Sequence, residues 1–110
     1  DIRCPLEYGL AIFGGKWKSR IICVLSDNEK LRYSQIRKEM YNITDAVLSA
    51  TLKDLMEDGI VDRKSYDEIP PRVEYSLTQK GKSVVPILQS ICQWSDIFYI
   101  EEGPDEMVQC

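Results

Sequence analysis

Histidine does not occur anywhere in these 110 residues. The side chain that most often serves as general base and metal ligand near neutral pH is therefore missing. Four cysteines are present, Cys4, Cys23, Cys92 and Cys110, widely spaced and without a Cys-x-x-Cys pair. A zinc site would need all four thiolates to converge, which that spacing does not suggest, so neither a metal site nor a cofactor is expected. The chain also lacks a glycine-rich phosphate loop, a carboxylate cluster and a nucleophile–base arrangement, so an enzyme is not expected. No apolar run approaches the roughly 18 residues of a membrane span. The start, Asp1-Ile2-Arg3-Cys4, has neither the charged region nor the apolar stretch of a signal peptide. Repeats, linkers and low-complexity tracts are absent too. The expectation is a soluble cytoplasmic chain, without a membrane partner, folded as one domain.

A surplus of positive charge is likewise missing. The net charge is −4, the wrong sign for a typical nucleic-acid binder. The distribution blunts that objection, because residues 101–110 carry Glu101, Glu102, Asp105 and Glu106 and no basic side chain. Residues 1–100 are left with 14 basic and 14 acidic side chains, a neutral body that can still present a basic face. The expected organisation is a domain over 1–100 followed by a disordered acidic tail over 101–110.

What is present is a sequence of short elements. Pro5 suits the first position of a helix, where its missing N–H costs nothing. Leu6, Leu10 and Phe13 recur at helical spacing until Gly14-Gly15. A second helix is expected from about Trp17, burying Ile21, Ile22, Val24 and Leu25 and ending near Ser26-Asp27-Asn28. Leu31-Arg32-Tyr33 reads as a small strand, and Ser34 as the cap of a third helix with Ile36 and Met40 inward. After a tight turn at Tyr41-Asn42-Ile43, Thr44 caps a fourth helix. There Leu48, Leu52 and Leu55 share one face, with Thr51 toward the core side, while Asp45, Ala46, Ser49, Ala50 and Lys53 share the other. Gly59 closes it. The period then changes to that of strands, with residues 60–66 followed by Val73, Tyr75 and Leu77 in alternation. Asp67-Glu68-Ile69-Pro70-Pro71-Arg72 between them reads as a projecting hairpin tip, because the prolines donate no ladder bond. Thr78 caps a long last helix carrying Val84, Ile87, Leu88, Ile91, Trp94, Ile97 and Phe98, with Pro86 expected to kink it or lie near its start.

This order predicts an α+β fold, a winged helix-turn-helix with a two-stranded β-hairpin wing and terminal dimerisation helices. A helix held on the core by one apolar face can offer the other to the major groove, about 12 Å wide. The hairpin tip can reach backbone or minor groove, where Arg72 would meet phosphate. On the last helix, Ile87 and Trp94 lie opposite the edge defined by Val84, Ile91 and Phe98. That arc is wider than one small domain needs, and it points to pairing with a second copy.

Specific motifs sharpen this reading. Cys4-Pro5-Leu6-Glu7, Gly14-Gly15-Lys16-Trp17-Lys18, Leu52-Lys53-Asp54-Leu55-Met56-Glu57-Asp58-Gly59-Ile60-Val61 and Ile69-Pro70-Pro71-Arg72-Val73-Glu74-Tyr75-Ser76-Leu77-Thr78-Gln79-Lys80-Gly81 resemble, in order and spacing, the HxlR family of bacterial transcriptional regulators. The resemblance spans about residues 3–99. It implies a MarR-like winged helix fold, a homodimer joined through terminal helices, binding to a palindromic operator in double-stranded DNA, and repression as the usual outcome. It places Leu6, Leu10, Ile87, Ile91, Trp94 and Phe98 at the dimer interface.

One departure from the family stands out. The outward face of its fourth helix usually bears several basic or amide side chains, and here those places hold Asp45, Ala46 and Ala50. Asp45 suits the helix dipole but repels a nearby phosphate. Asp can accept from cytosine and Ala can touch a thymine methyl, with Ser49 and Lys53 as polar contacts. Affinity is expected to rest on phosphate contacts from Lys16, Arg32, Ser34, Lys53, Arg63 and Arg72.

Cys4 precedes Pro5 and so falls at a helix N-cap, where unpaired amides and neighbouring Arg3 favour thiolate while Glu7 opposes it. The resemblance implies an oxidant or electrophile sensor at this cysteine, with the dimer interface as the element it shifts. Cys23 and Cys92 fall on apolar faces and read as core, and Cys110 lies in the acidic tail. Two other readings stay open at this point. One is a winged helix protein–protein interaction module without DNA binding, favoured by the acidic balance and the alanines. The other is a regulator answering to a small molecule held among Tyr8, Phe13, Trp17 and Trp94.

Overall fold

Proline and glycine set the limits of the first helix. In the computed structural model, which describes residues 4–102 with side chains through residue 98, α1 spans Pro5–Phe13, with Cys4 as its extended N-cap and Gly14 as its C-cap. A side chain at Gly14 would collide with the Leu10 carbonyl, to which the Gly14 N–H donates at 2.8 Å. The next helix, α2, spans Lys18–Ser26 and buries Ile21, Ile22, Cys23 and Leu25. Cys23 thus takes the core place expected of Val24, which is only half-buried.

The small strand expected at residues 31–33 reduces to one bridge. Leu31 exchanges both backbone hydrogen bonds with Tyr75, at 3.0 and 2.8 Å. The Arg32 N–H is then taken by the Gln35 side chain at 2.8 Å, so it cannot extend a ladder. A helix starts at once. Consequently Arg32, not Ser34, is the N-cap of α3 (Tyr33–Glu39), and Ile36 and Met40 point inward.

Asn42, with φ 66°, turns the chain toward α4 (Asp45–Glu57). Thr44 caps it, its hydroxyl accepting from the Val47 N–H at 3.2 Å. At the other end the Gly59 N–H reaches Met56 O at 3.1 Å and the Ile60 N–H reaches Leu55 O at 2.9 Å, with Gly59 at φ 74°. That double bond pattern is the Schellman closure, and it draws Ile60 out of the following strand.

The hairpin pairs β1 (Val61–Tyr66) antiparallel with β2 (Arg72–Leu77), in a register running from Val61 opposite Leu77 to Tyr66 opposite Arg72. Arg72 is therefore the first ladder residue of β2 rather than part of the free tip, which narrows to residues 67–71. The last helix, α5 (Gln79–Glu102), opens at Thr78. The Thr78 hydroxyl accepts from the Gly81 N–H at 3.0 Å and donates to Gly59 O at 2.5 Å, fastening the start of α5 to the end of α4. A side chain at Gly81 would strike the Ile60 carbonyl, so this close approach requires glycine. Pro86 is the eighth residue of α5, inside it rather than near its start, and it is exposed. Glu101 and Glu102 continue the helix, and the rest of the expected tail, 103–110, lies outside the described residues, as do Arg3 and Cys110.

One apolar core holds these parts. Ile21, Ile22, Leu25, Ile36, Leu48, Leu52, Leu55 and Ile60 are its fully buried members, with Ile43, Val61, Tyr75, Leu77, Val84 and Leu88 around them. The leucine face of α4 is thereby consumed, and its opposite face is left to solvent.

Candidate nucleic-acid interface

The outward face of α4 presents Asp45, Ala46, Ser49, Ala50 and Lys53, all exposed. Thr51 turns inward and is buried, donating to Val47 O at 2.7 Å. Two of the exposed residues are not free to reach outward independently. The Tyr33 hydroxyl lies 3.1 Å from Ser49 Oγ, 3.2 Å from the Asp45 carbonyl and 3.4 Å from Asp45 Oδ1. Arg37 donates through Nε to Asp45 Oδ1 at 2.8 Å. The carboxylate that the sequence placed as a repellent to phosphate therefore has a cation on it.

Arg32 and Ser34, at the start of α3, are exposed on either side of Tyr33 and so border the same end of α4. Lys16 stands apart in sequence, between α1 and α2. Its ammonium is 4.6 Å from the centre of the Trp17 ring, and the Arg20 guanidinium is 5.2 Å from that ring. Arg20 in turn reaches the Tyr41 carbonyl at 3.5 Å, in the turn that leads into α4. Lys16 is thus linked through one indole and one arginine to the helix-turn-helix bend.

On the wing, Arg63 donates to Ser65 Oγ at 3.2 Å. Arg72 is more heavily engaged. Its guanidinium sits 4.0 Å from the centre of the Tyr66 ring, 3.0 Å from Glu68 Oε2 and 4.0 Å from Glu74 Oε2. A phosphate would have to displace Glu68 to reach it. Ile69, at the tip, is fully exposed.

Away from this face, a second surface is apolar. On α1, Leu6, Tyr8 and Leu10 are exposed, and on α5 so are Ile87, Ile91, Trp94, Ile97 and Phe98. Among the described residues of α5, Val84 and Leu88 are buried in the core and Val85 packs against it. Ile91 and Phe98, seven and fourteen residues beyond Val84, are exposed together with Ile87 and Trp94, which lie on the same side of the helix and not opposite them. Trp94 and Phe98 pack with ring centres 5.3 Å apart and planes tilted by 46°.

Cys4 is half-buried at the N-cap of α1. One turn along, the Tyr8 hydroxyl accepts from Lys80 Nζ at 2.9 Å, and the same ammonium donates to the Asp58 carbonyl at 2.9 Å. Lys80 bridges α1 to the C-terminal cap of α4. A cavity of about 240 Å³ between α1, α2 and α5 is lined by Leu10, Phe13, Gly14, Gly15, Ser19, Leu88, Ile91 and Cys92. Of the four aromatics read as a ligand pocket, only Phe13 lines it. Its volume is below the roughly 300–1,000 Å³ of ordinary small-molecule sites. Among the described residues no group of acidic or cysteine side chains is placed to hold a metal, and no helix is long and apolar enough to cross a membrane.

Comparison with known proteins decides what this arrangement belongs to. The family model for the HxlR-like helix-turn-helix matches residues 12–102. The chain belongs to the HxlR-like helix-turn-helix family. An uncharacterised HTH-type transcriptional regulator of Methanothermobacter thermautotrophicus is 46% identical over 95 residues, covering 86% of this chain and 72% of the relative. Among solved structures, the redox regulator HypR in its oxidised form superposes with a TM-score of 0.78 at 39% identity, covering 84% of this chain and 95% of that one. The reduced transcriptional regulator YodB of Bacillus subtilis superposes at 0.79 and 32% identity, covering 94% and 100%.

As an HxlR-like regulator the protein is a DNA-binding winged helix-turn-helix, with α3 and α4 as the helix-turn-helix and β1–β2 as the wing. Nothing in the sequence singles out Tyr33, Arg37 or Arg20. Tyr33 falls in the segment expected as a small strand, and Arg37 stands eight residues before Asp45 with nothing in the sequence to join them. Helical spacing within α3 and α4 does not reveal a contact made across the bend between them.

Proposed function

We propose that the chain is a homodimeric, sequence-specific repressor whose affinity for its operator falls when Cys4 is oxidised or alkylated. The observation that carries the dimer is the open apolar surface of α1 and α5. Leu6 is 69% exposed and Trp94 66% in the single chain, and a contiguous apolar surface this open marks a place that a partner covers. Pairing two copies through these helices sets two α4 faces about one DNA turn apart, roughly 34 Å. Affinity then comes from Lys16, Arg32, Ser34, Lys53, Arg63 and Arg72 on the phosphates, with Ala46, Ser49 and Ala50 against base edges.

Regulation through Cys4 is supported by position. Cys4 stands at the N-cap position of a helix that carries part of the apolar surface, so a bulky or charged modification acts directly on the packing there. The Lys80 bridge ties the same helix to the end of α4. HypR is by name a redox regulator, and YodB is known in a reduced form. The test treats the reduced protein with diamide, identifies the modified cysteine by mass spectrometry and measures operator affinity in parallel. Wild type is expected to lose at least ten-fold in affinity, whereas Cys4→Ser keeps its reduced-state affinity throughout. Unchanged DNA affinity in a fully Cys4-modified sample would overturn the sensing role and leave DNA binding standing.

A further inference from the structure

The Arg37–Asp45 pair has a geometry that stability does not explain. Its side chains are 42% and 73% exposed, and an ion pair so open to water contributes little to folding. Yet Asp45 is the first residue of α4, the end that enters the major groove in helix-turn-helix proteins. It is held in place from two sides. Tyr33 donates to its backbone carbonyl and lies within reach of its carboxylate, and Arg37 takes Oδ1 through Nε.

We propose that Arg37, aligned by Asp45, reads a guanine in each operator half-site. The inference rests on the operator-binding reading and names the base and the residue. A guanidinium held at Nε still offers its far edge, where each of the two terminal nitrogens carries one N–H and the two run parallel. That pair of donors matches the two acceptors, O6 and N7, on the major-groove edge of guanine. A phosphate is the poorer partner, because it brings full negative charge against the Asp45 carboxylate, whereas guanine presents two acceptors without net charge. Asp45 does not read cytosine in this scheme. It is a positioning residue, and its acidity serves the arginine. The departure from the family at this position thus becomes part of the reading device.

The test uses the intact dimer on its preferred duplex, taken from a random-sequence selection, and on variants with each half-site base pair replaced in turn. Wild type should discriminate one G·C pair per half-site by roughly ten-fold or more. Arg37→Ala should abolish the preference at that position alone. Asp45→Ala should weaken the same preference, and the double variant should be no worse than Arg37→Ala. Arg37→Lys, which keeps the charge but not the paired donors, should behave like Arg37→Ala and covers the case that the alanine variant fails to fold. The slope of affinity against salt should stay near that of wild type. Two results overturn the assignment. One is a uniform loss on every sequence with the salt slope reduced by about one, the mark of a phosphate contact. The other is an Asp45→Ala variant that binds all sequences more tightly with preferences intact, the mark of simple repulsion. Failure of wild type to bind any duplex is a separate outcome, and it removes the operator reading along with this one.

Discussion

Asp45 shows how one side chain changes meaning with its neighbours. Alone at the start of a DNA-facing helix it favours the helix dipole and opposes the ligand. With Arg37 at 2.8 Å it becomes half of a neutral, oriented unit. The spacing that makes this contact crosses a turn with Asn42 in the left-handed region, so no helical periodicity announces it. Thr44 and Gly59 were legible for the opposite reason. Capping depends on residues three or four apart, and their chemistry is written locally. Thr44→Ala removes the acceptor for the Val47 N–H and should cost about 1 kcal/mol of stability, read as a lowered unfolding midpoint in urea with an unchanged slope. A variant as stable as wild type would mean that the cap contributes nothing here.

At the scale of elements, the helices on the core were read correctly because their apolar stripes are complete within one chain. Leu48, Leu52 and Leu55 are all but inaccessible. Two elements differ from the expectation, each through a cross-strand partner. The strand at residues 31–33 stops after Leu31 because Tyr75 offers one bridge and Gln35 captures the next N–H. Arg72 joins the ladder because Tyr66 stands opposite it, and it then pairs with Glu68 instead of hanging free. The last helix is apolar on a broad arc, but which residues face inward depends on how α5 lies against α2, and among its described apolar residues Val84 and Leu88 do so most deeply. In the proposed dimer its outer residues pack between chains. Trp94→Asp, at a position two-thirds exposed in the single chain, should leave the fold intact and yield a monomer by light scattering. Operator affinity should fall by at least ten-fold, because the second half-site is no longer tethered. A Trp94→Asp protein that remains dimeric would move the interface elsewhere.

For the whole molecule, the net charge of −4 misleads because affinity for a duplex depends on what one face presents. Lys16, Arg20, Arg32, Lys53 and Arg63 accompany the helix-turn-helix and wing, and Asp45 is neutralised where it would hurt most. Each half of the proposed dimer is thus a self-contained reader, with its leucines on the core, its polar face outward and its wing alongside. Their separation is fixed by α1 and α5. That geometry makes a sharp demand on the DNA. The most direct test is a selection of preferred duplexes from a random pool, followed by a mobility shift at low ionic strength. A two-fold symmetric site is expected, with half-site centres about 10 base pairs apart, bound by one dimer and released steeply as salt rises. Failure of the purified protein to shift any duplex at low ionic strength, or selection of a single unrepeated half-site, would contradict it.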